Sequence, residues 1–240
     1  MRKALVPVLV VSCALAVACG SSSSSSAPQA PTGMSGTVGG HAFTPVEMRT
    51  LSLASDGSPC LLHLNPMDPS AVTTVGVKAV VVEAATHTDT CTDLQSSQCR
   101  FHANSQTVTL LVARVNLVPP GTEPPLTTGT YTVSTDLSHP TVDASGAYVA
   151  YAQTLVIDPT FAATSATPVA GGTITLTEVS GPVVGSVSLK FADGSAVSGT
   201  FSAPFCGGST DACGLANTLA AALAGGAPQG LCTLPPVTVP

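Results

Sequence analysis

Short stretches rich in Val, Thr and Leu alternate with clusters of Gly, Pro, Asp and Ser along most of this chain. Such alternation is typical of β-strands joined by turns. The clearest case is near the C-terminal end, where the apolar residues Val187, Leu189 and Phe191 occupy alternate positions. The odd-numbered positions of 197–205 carry apolar or small residues in the same way. A period of two places each set on one face of a strand. The Ala-Asp-Gly-Ser stretch at 192–195 supplies the positive φ of a tight turn, which predicts a hairpin.

Two longer segments, 75–82 and 110–118, have apolar residues at both odd and even positions. They fit central strands covered on two faces or buried helices, and their β-branched residues favour strands. Ten strands are predicted in all, at 35–39, 45–53, 60–64, 72–84, 107–118, 129–134, 148–157, 172–179, 183–191 and 196–205.

One segment, 212–224, has the pattern of a helix. Leu215, Leu219 and Leu223 recur every four residues, and two glycines follow at 225–226. Ten strands and one short C-terminal helix predict an all-β fold, either an antiparallel β-sandwich or a partly closed barrel. No linker or tandem repeat divides 34–240, which is therefore predicted to be one domain.

The first 26 residues differ from the rest: a basic Met-Arg-Lys start, an apolar run over 4–18, then Cys19, a glycine and six serines. This order is typical of a secretory signal peptide. The apolar run is shorter than the ~20 residues that a membrane-spanning helix needs, and Pro7 interrupts it. We predict a signal peptide over 1–18 and a Ser- and Pro-rich tether over 19–33.

The Ala-Val-Ala stretch at 16–18, directly before Cys19, resembles the lipobox of bacterial lipoproteins. The resemblance implies cleavage before Cys19 and a diacylglycerol on its sulfur; Cys13 is a second, less favoured candidate. Gly20 at the next position implies export to the outer membrane. The segments 172–179, 185–191 and 198–206 also resemble the C-terminal meander of uncharacterised β-rich bacterial lipoproteins, a group whose resemblance implies no activity.

Charge argues against nucleic acid as a partner. Without the signal peptide, the chain has five basic and thirteen acidic residues, a net charge of −8. Five basic residues cannot neutralise many phosphates. Charged residues make up only 8% of the chain, against ~25% in ordinary domains. Tryptophan is absent and aromatic residues amount to 4%, so a platform that stacks sugars or bases is not expected. The predicted membrane contact is the lipid alone.

Apart from Cys13 and Cys19, the six cysteines are Cys60, Cys91, Cys99, Cys206, Cys213 and Cys232. An even number in an exported chain predicts disulfides, and six cysteines allow 15 pairings. Closeness in sequence favours Cys91–Cys99 and Cys206–Cys232, which leaves Cys60 for Cys213. No C-x-x-C motif occurs, so neither a thiolate zinc site nor thioredoxin-type chemistry is predicted.

One polar group of residues could carry chemistry: His87, Asp89, Asp93 and His102. Two imidazoles and two carboxylates near one loop could bind a divalent metal. The stretch has no EF-hand pattern. The favoured interpretation is a surface loop, closed by a disulfide, whose polar side chains are solvated. The metal site is the weaker alternative.

No other motif indicates an enzyme. G-x-S-x-G and a Gly-rich phosphate loop are both missing, so no cofactor is predicted. Glu47, Glu83 and Glu178 lie in predicted strands and are expected on a solvated face. The favoured function is a lipid-anchored, non-enzymatic structural or binding module of the cell envelope, whose partner is an envelope protein or a small ligand. The alternatives are a hydrolase or metal-binding protein centred on 87–102, or a barrel that encloses an apolar ligand.

Overall fold

A computed structural model describes residues 33–54, 60–63, 72–95, 101–116, 125–135, 141–144 and 146–207. The predicted signal peptide, nearly all of the predicted tether and the predicted helix over 212–224 lie outside these residues. The described elements are β1 (Ser35–Val38), β2 (His41–Phe43), β3 (Glu47–Ala54), β4 (Cys60–His63), β5 (Val72–Ala85), α1 (Thr90–Gln95), β6 (Ser105–Asn116), β7 (Gly129–Thr132), β8 (Thr141–Asp143), β9 (Gly146–Ile157), β10 (Ala163–Glu178), β11 (Val183–Phe191) and β12 (Ala196–Ala203).

The twelve strands of the described residues form one antiparallel sheet with the path β2-β1-β12-β11-β10-β9-β6-β5-β3. Strands β4, β7 and β8 pair with β5, β10 and β9 beside this path. The sheet curls into a half-barrel, so that β3, at one end of the path, meets the chain just after β12. There the Thr50 amide donates to the Pro204 carbonyl at 2.9 Å, and the Cys206 amide donates to the Thr50 carbonyl at 2.8 Å.

The prediction of a mostly β, antiparallel fold is confirmed, whereas a two-sheet sandwich is not confirmed. All ten predicted strands have a counterpart. The sequence missed β2 and β8, which are too short to show a period, and the first half of β10, which is rich in Ala and contains Pro168. The helix of the described residues, α1, lies in a stretch predicted to be irregular. No helix within the described part of the chain has the length and apolar character of a membrane span.

The main core lies on the inner face of the curled sheet, and its largest fully buried side chains include Tyr131, Phe43 and Phe201. The central strands β5 and β6 are buried on both faces, as their sequences predict. Their core-facing residues are Val80, Val82, Ala84, Val108, Leu110 and Val112. Those buried on the opposite face include Val77, Ala79, Val81, Leu111 and Ala113.

The predicted hairpin is confirmed as β11 and β12. Odd-numbered residues of β11 are buried along its whole length. In the turn, Gly194 has φ 84°, and its amide donates to the Phe191 carbonyl at 3.1 Å. The Asp193 carboxylate accepts a hydrogen bond from the Ser195 amide at 2.9 Å. The Asp-Gly pair thus does what its chemistry predicts: one residue bonds the backbone and the other supplies the positive φ.

A buried cation joins β8 to the core. Arg114 is 2% exposed, and its guanidinium carbon lies 5.3 Å from the ring centroids of both Tyr131 and Tyr148. Its two terminal nitrogens each donate to a carboxylate oxygen of Asp143 at 2.7 Å. This hydrogen-bonded carboxylate raises the pKa of Arg114. The paired charge and the two ring faces compensate for the burial of the guanidinium.

The disulfide of the described residues joins Cys91 to Cys206, with 5.3 Å between their Cα atoms and a sequence separation of 115. The predicted pairs Cys91–Cys99 and Cys206–Cys232 are therefore wrong. The physical reason is the curl of the sheet, which brings the chain after β12 against β3, beside α1. The third predicted pair joins Cys60 to Cys213, and Cys213 lies outside the described residues.

Candidate metal centre

The loop between β5 and β6, residues 86–104, carries the polar cluster; residues 96–100 of it lie outside the described part. The strand ends hold the two ends of this loop together. The Thr86 amide donates to the Gln106 carbonyl at 3.0 Å, and the Gln106 amide donates to the Thr86 hydroxyl at 2.9 Å. His87 follows the first of these residues directly and His102 precedes β6. The hairpin ladder therefore brings both imidazoles to one end of the sheet.

Helix α1 supplies the carboxylate of Asp93. It begins at a buried acidic side chain from another strand: Glu47 of β3 accepts hydrogen bonds from the Thr90 amide at 3.0 Å and the Thr90 hydroxyl at 2.8 Å. Arg49 donates to the other Glu47 oxygen at 2.8 Å. A helix N-terminus leaves backbone amides without partners, and here a tertiary contact satisfies one of them. Glu47 thereby fixes α1 to β3.

The side chains of His87, Asp93 and His102 meet at one point. Both imidazole Nε2 atoms lie 3.0 Å from the same oxygen, Oδ2 of Asp93. The two rings are stacked, with centroids 3.9 Å apart and planes 18° from parallel. One ligand atom from each of the three residues lies within 4.8 Å of the other two. The side chains of His87, Asp93 and His102 are 14%, 10% and 33% exposed, so the cluster is accessible chiefly from the His102 side.

This donor set fits a first-row transition-metal ion. Zinc binds imidazole nitrogen and carboxylate oxygen at ~2.0–2.2 Å, which sets tetrahedral ligand atoms about 3.3 Å apart. The Nε2–Oδ2 distances of 3.0 Å are only slightly shorter, so small outward movements would admit an ion. Asp93 Oδ1 and His87 Nδ1 are buried with no hydrogen-bond partner among the described residues. Asp93 therefore keeps unused acceptor capacity inside the cluster.

The surroundings of His87 favour its neutral form. Burial lowers the pKa of His87, the hydrogen bond to Asp93 opposes this only in part, and the neighbouring His102 lowers it further. Two stacked imidazolium rings would repel each other. A neutral imidazole has a free ring nitrogen that can coordinate an ion.

Two further acidic side chains, Glu47 and Glu83, lie near the cluster. Burial raises the pKa of Glu83 to about 8, and the charges of Asp93 and Glu47 add to that rise. Burial also acts to raise the pKa of Glu47, but the hydrogen bonds from Thr90 and Arg49 prevail and hold it below its usual value. Glu47 is 4% exposed and Glu83 is partly buried. The prediction that both lie on a solvated face is thus wrong, because α1 packs over this end of β3 and β5; Glu178 is exposed as predicted.

Three of the four predicted candidates therefore converge and the fourth does not. Asp89 is exposed, has φ 73°, and its carbonyl accepts from the Thr92 amide at 2.9 Å and the Asp93 amide at 3.3 Å. Asp89 directly precedes α1, and its carbonyl accepts the first hydrogen bonds of the helix; its side chain does not join the cluster. The favoured interpretation was a solvated loop closed by a Cys91–Cys99 disulfide. Its disulfide is wrong, because Cys91 is bonded to Cys206. Sequence reasoning missed Glu47 and Thr90, which are far apart in the chain and match no motif.

No protein-family model matches this chain, and neither a curated protein nor a solved structure shows significant similarity to it. What the cluster does must therefore be argued from its own geometry and chemistry.

Proposed function

We propose that this protein is an exported, lipid-anchored β-domain that binds a divalent transition-metal ion through His87, Asp93 and His102. The observation that carries the proposal is the convergence of two imidazole Nε2 atoms on one carboxylate oxygen, each at 3.0 Å. Two nitrogens and one oxygen suit zinc and its neighbours in the first transition row. Calcium and magnesium prefer sites built from oxygen alone. Zinc is the ion to which the proposal commits.

Binding, rather than enclosure of an apolar ligand, is the better-supported role. The inner face of the sheet is filled by large side chains, among them Tyr131, Phe43, Phe201 and Met48. The metal cluster lies instead in the loop between β5 and β6, beside partly exposed His102. A non-enzymatic metal-binding module needs no further group.

A metal-dependent hydrolase is the second candidate function, because the cluster offers three protein ligands. Three protein ligands leave one position of a four-coordinate zinc ion for water or an exogenous group, which is the arrangement of catalytic zinc sites. Turnover of a simple ester by the zinc-loaded protein, abolished in His102→Ala, would favour this function over binding alone.

The membrane part of the proposal rests on the N-terminal sequence. A diacylglycerol on Cys19 would anchor the protein, because each buried CH₂ contributes ~0.8 kcal/mol. The serine-rich tether would then hold the domain a short distance from the outer membrane. The metal site would face an oxidising compartment outside the cytoplasm, where disulfides persist.

Zinc titration of the untagged, disulfide-intact protein tests the proposal. We expect one zinc ion per chain by calorimetry and a rise in Tm with zinc concentration. His87→Ala, Asp93→Asn and His102→Ala should each weaken zinc binding by at least about 100-fold, beyond the 10–100-fold typical of residues that only support ligands.

Matched control variants are available in the same chain. Asp89→Asn alters a carboxylate of the same loop that stays outside the cluster, and His41→Ala removes an exposed imidazole of β2. Both should bind zinc like the wild type. A wild-type protein that gives no heat and no shift in Tm would overturn the proposal, as would a His87→Ala protein with unchanged affinity.

A further inference from the structure

We propose that the Cys91–Cys206 disulfide positions Asp93 and so makes the zinc affinity of the cluster depend on thiol redox state. The inference rests on the proposed function, because it concerns the same three ligands. It adds a form of regulation that acts on the Asp93 carboxylate and leaves the two imidazoles in place.

The argument begins with the length of α1. The helix has six residues, and helices this short are not stable alone in water. Its position must therefore come from contacts with the rest of the protein. Asp93 is two residues after Cys91 on this helix, so a contact that fixes Cys91 also restricts Asp93.

Two attachments from α1 lead to the same strand. The first is the pair of hydrogen bonds from Thr90 to Glu47 of β3. The second is the disulfide to Cys206, whose amide donates to the Thr50 carbonyl of β3 at 2.8 Å. Cys206 is 6% exposed and cannot move without breaking this closure of the sheet. The disulfide thus ties Asp93 to a rigid position.

The histidines are held differently. His87 and His102 leave neighbouring strands whose ladder is continued by Thr86 and Gln106. Breaking the disulfide would leave these supports intact and remove one of the two attachments that fix α1. We therefore expect the loss to fall on the Asp93 contribution, by the 10–100-fold typical of removing a group that orients a metal ligand.

The step is a thiol–disulfide exchange with a dithiol reductant. Cys91 is partly exposed and Cys206 is buried, so a thiolate of the reductant attacks Sγ of Cys91. A mixed disulfide forms, the bond to Cys206 breaks, and the Cys206 sulfur leaves as a thiolate and takes up a proton. The second thiol of the reductant then releases Cys91 as a thiol. Two electrons and two protons pass to the protein, and the dithiol becomes a disulfide.

The first test compares zinc affinity in a double-mutant cycle. C91A/C206A should bind zinc about 10–100-fold more weakly than the wild type. In an Asp93→Ala background the same cysteine replacement should change the affinity little, whereas in a His102→Ala background it should still weaken binding. A general structural role would instead reduce affinity equally in both backgrounds, and that result would overturn the inference.

The second test needs no variant and decides the matter if C91A/C206A fails to fold. Coupling is reciprocal, so zinc must make the disulfide harder to reduce by the same factor. The wild-type protein is equilibrated in buffers of a dithiol reductant and its disulfide, with free zinc fixed by a chelator, and alkylated Cys91 and Cys206 are counted by mass spectrometry. A zinc-dependent fall of about tenfold or more in the reduced fraction, relative to the oxidised one, supports the inference.

The two proposals fail in distinguishable ways. Wild-type zinc binding combined with a reduction equilibrium that ignores zinc overturns the redox coupling and leaves the metal site standing. Absence of zinc binding by the oxidised wild type overturns both.

Discussion

Two glutamates of adjacent strands beside α1 have pKa values shifted in opposite directions, although burial acts to raise both. Glu47 receives hydrogen bonds from Thr90 and Arg49, which keep its pKa low. For Glu83, burial prevails and the nearby charges of Asp93 and Glu47 reinforce it, so its pKa rises to about 8. A protonated carboxyl beside a candidate metal centre follows from desolvation and like charge alone.

Glu83 makes the stability of the metal-free protein fall as pH rises. Its pKa increases from 4.5 to about 8 on folding, so the folded state binds more protons than the unfolded state within that window. Stability therefore declines with rising pH by up to about 1.4 kcal/mol per unit. Glu83→Gln should lack this decline. Urea unfolding at several pH values between about 5 and 8, with a chelator present, measures the difference.

The difference between variants isolates Glu83 from its neighbours. The lowered pKa of His87 acts in the opposite sense, since its stabilisation is lost as pH falls. Exposed Glu178→Gln is the control and should keep the wild-type pH dependence. Parallel pH profiles for wild type and Glu83→Gln would show that Glu83 does not titrate as described.

At the residue scale, the sequence identified the three residues of the candidate metal centre better than the contacts that support them. His87, Asp93 and His102 lie within sixteen residues of chain, so their polar pattern is visible without a structure. Glu47 bonds Thr90 across a sequence separation of 43, and no local pattern encodes that contact. Cys206 is further still, at 115 residues from Cys91.

At the element scale, β10 depends on one glycine at a close approach of two strands. Gly172 has φ +131°, and a Cβ there would lie 2.0 Å from the Ser188 carbonyl oxygen of β11. Gly172→Ala should destabilise the protein by more than about 1 kcal/mol, since it adds both strain and a clash. Chemical unfolding measures the loss.

The adjacent residue is a matched control. Gly171 has no atom within 4 Å of the position of an added Cβ, and its φ is not positive in the left-handed range. Gly171→Ala should change stability little or raise it slightly, because alanine restricts the unfolded chain. Equal losses for both variants would refute the close approach at Gly172.

Elements with a strong period were predictable and short ones were not. β11 and β12 alternate over nine and eight residues, which fixes their inward face from sequence alone. Strands β2 and β8 have three residues each, too few to show a period. Helix α1 has polar residues and a cysteine where an apolar stripe would be expected, because a buried glutamate and a disulfide hold it instead.

At the scale of the whole molecule, the sequence predicts an anchor at its N-terminal side. Purified from membranes, the protein should begin at Cys19 and carry the mass of a diacylglycerol. Cys19→Ala should release the domain from the membrane fraction, because it removes the acyl chains that provide binding. Mass spectrometry and cell fractionation measure these outcomes. An uncut, unmodified N-terminus in the wild type would contradict the prediction.

The mostly β fold class followed from the sequence because turn residues and period-two stretches recur along it, whereas two of the twelve strands, β2 and β8, were missed. The curl of the sheet did not follow, since it depends on which distant strands meet. Thr50 and Cys206 come together only because the seven strands from β12 to β3 twist far enough round. The wrong disulfide predictions have the same origin.

The contact between Thr50 and the chain after β12 also concerns how copies of the protein behave together. At the end of a sheet, an eight-residue strand such as β3 offers unpaired backbone groups to a neighbouring molecule, and such edges promote aggregation. Here the amide and carbonyl of Thr50 are already occupied from within, and the other end of the path is the three-residue β2. These contacts occupy the middle of the β3 edge, so a neighbouring molecule could not pair with that edge along its whole length.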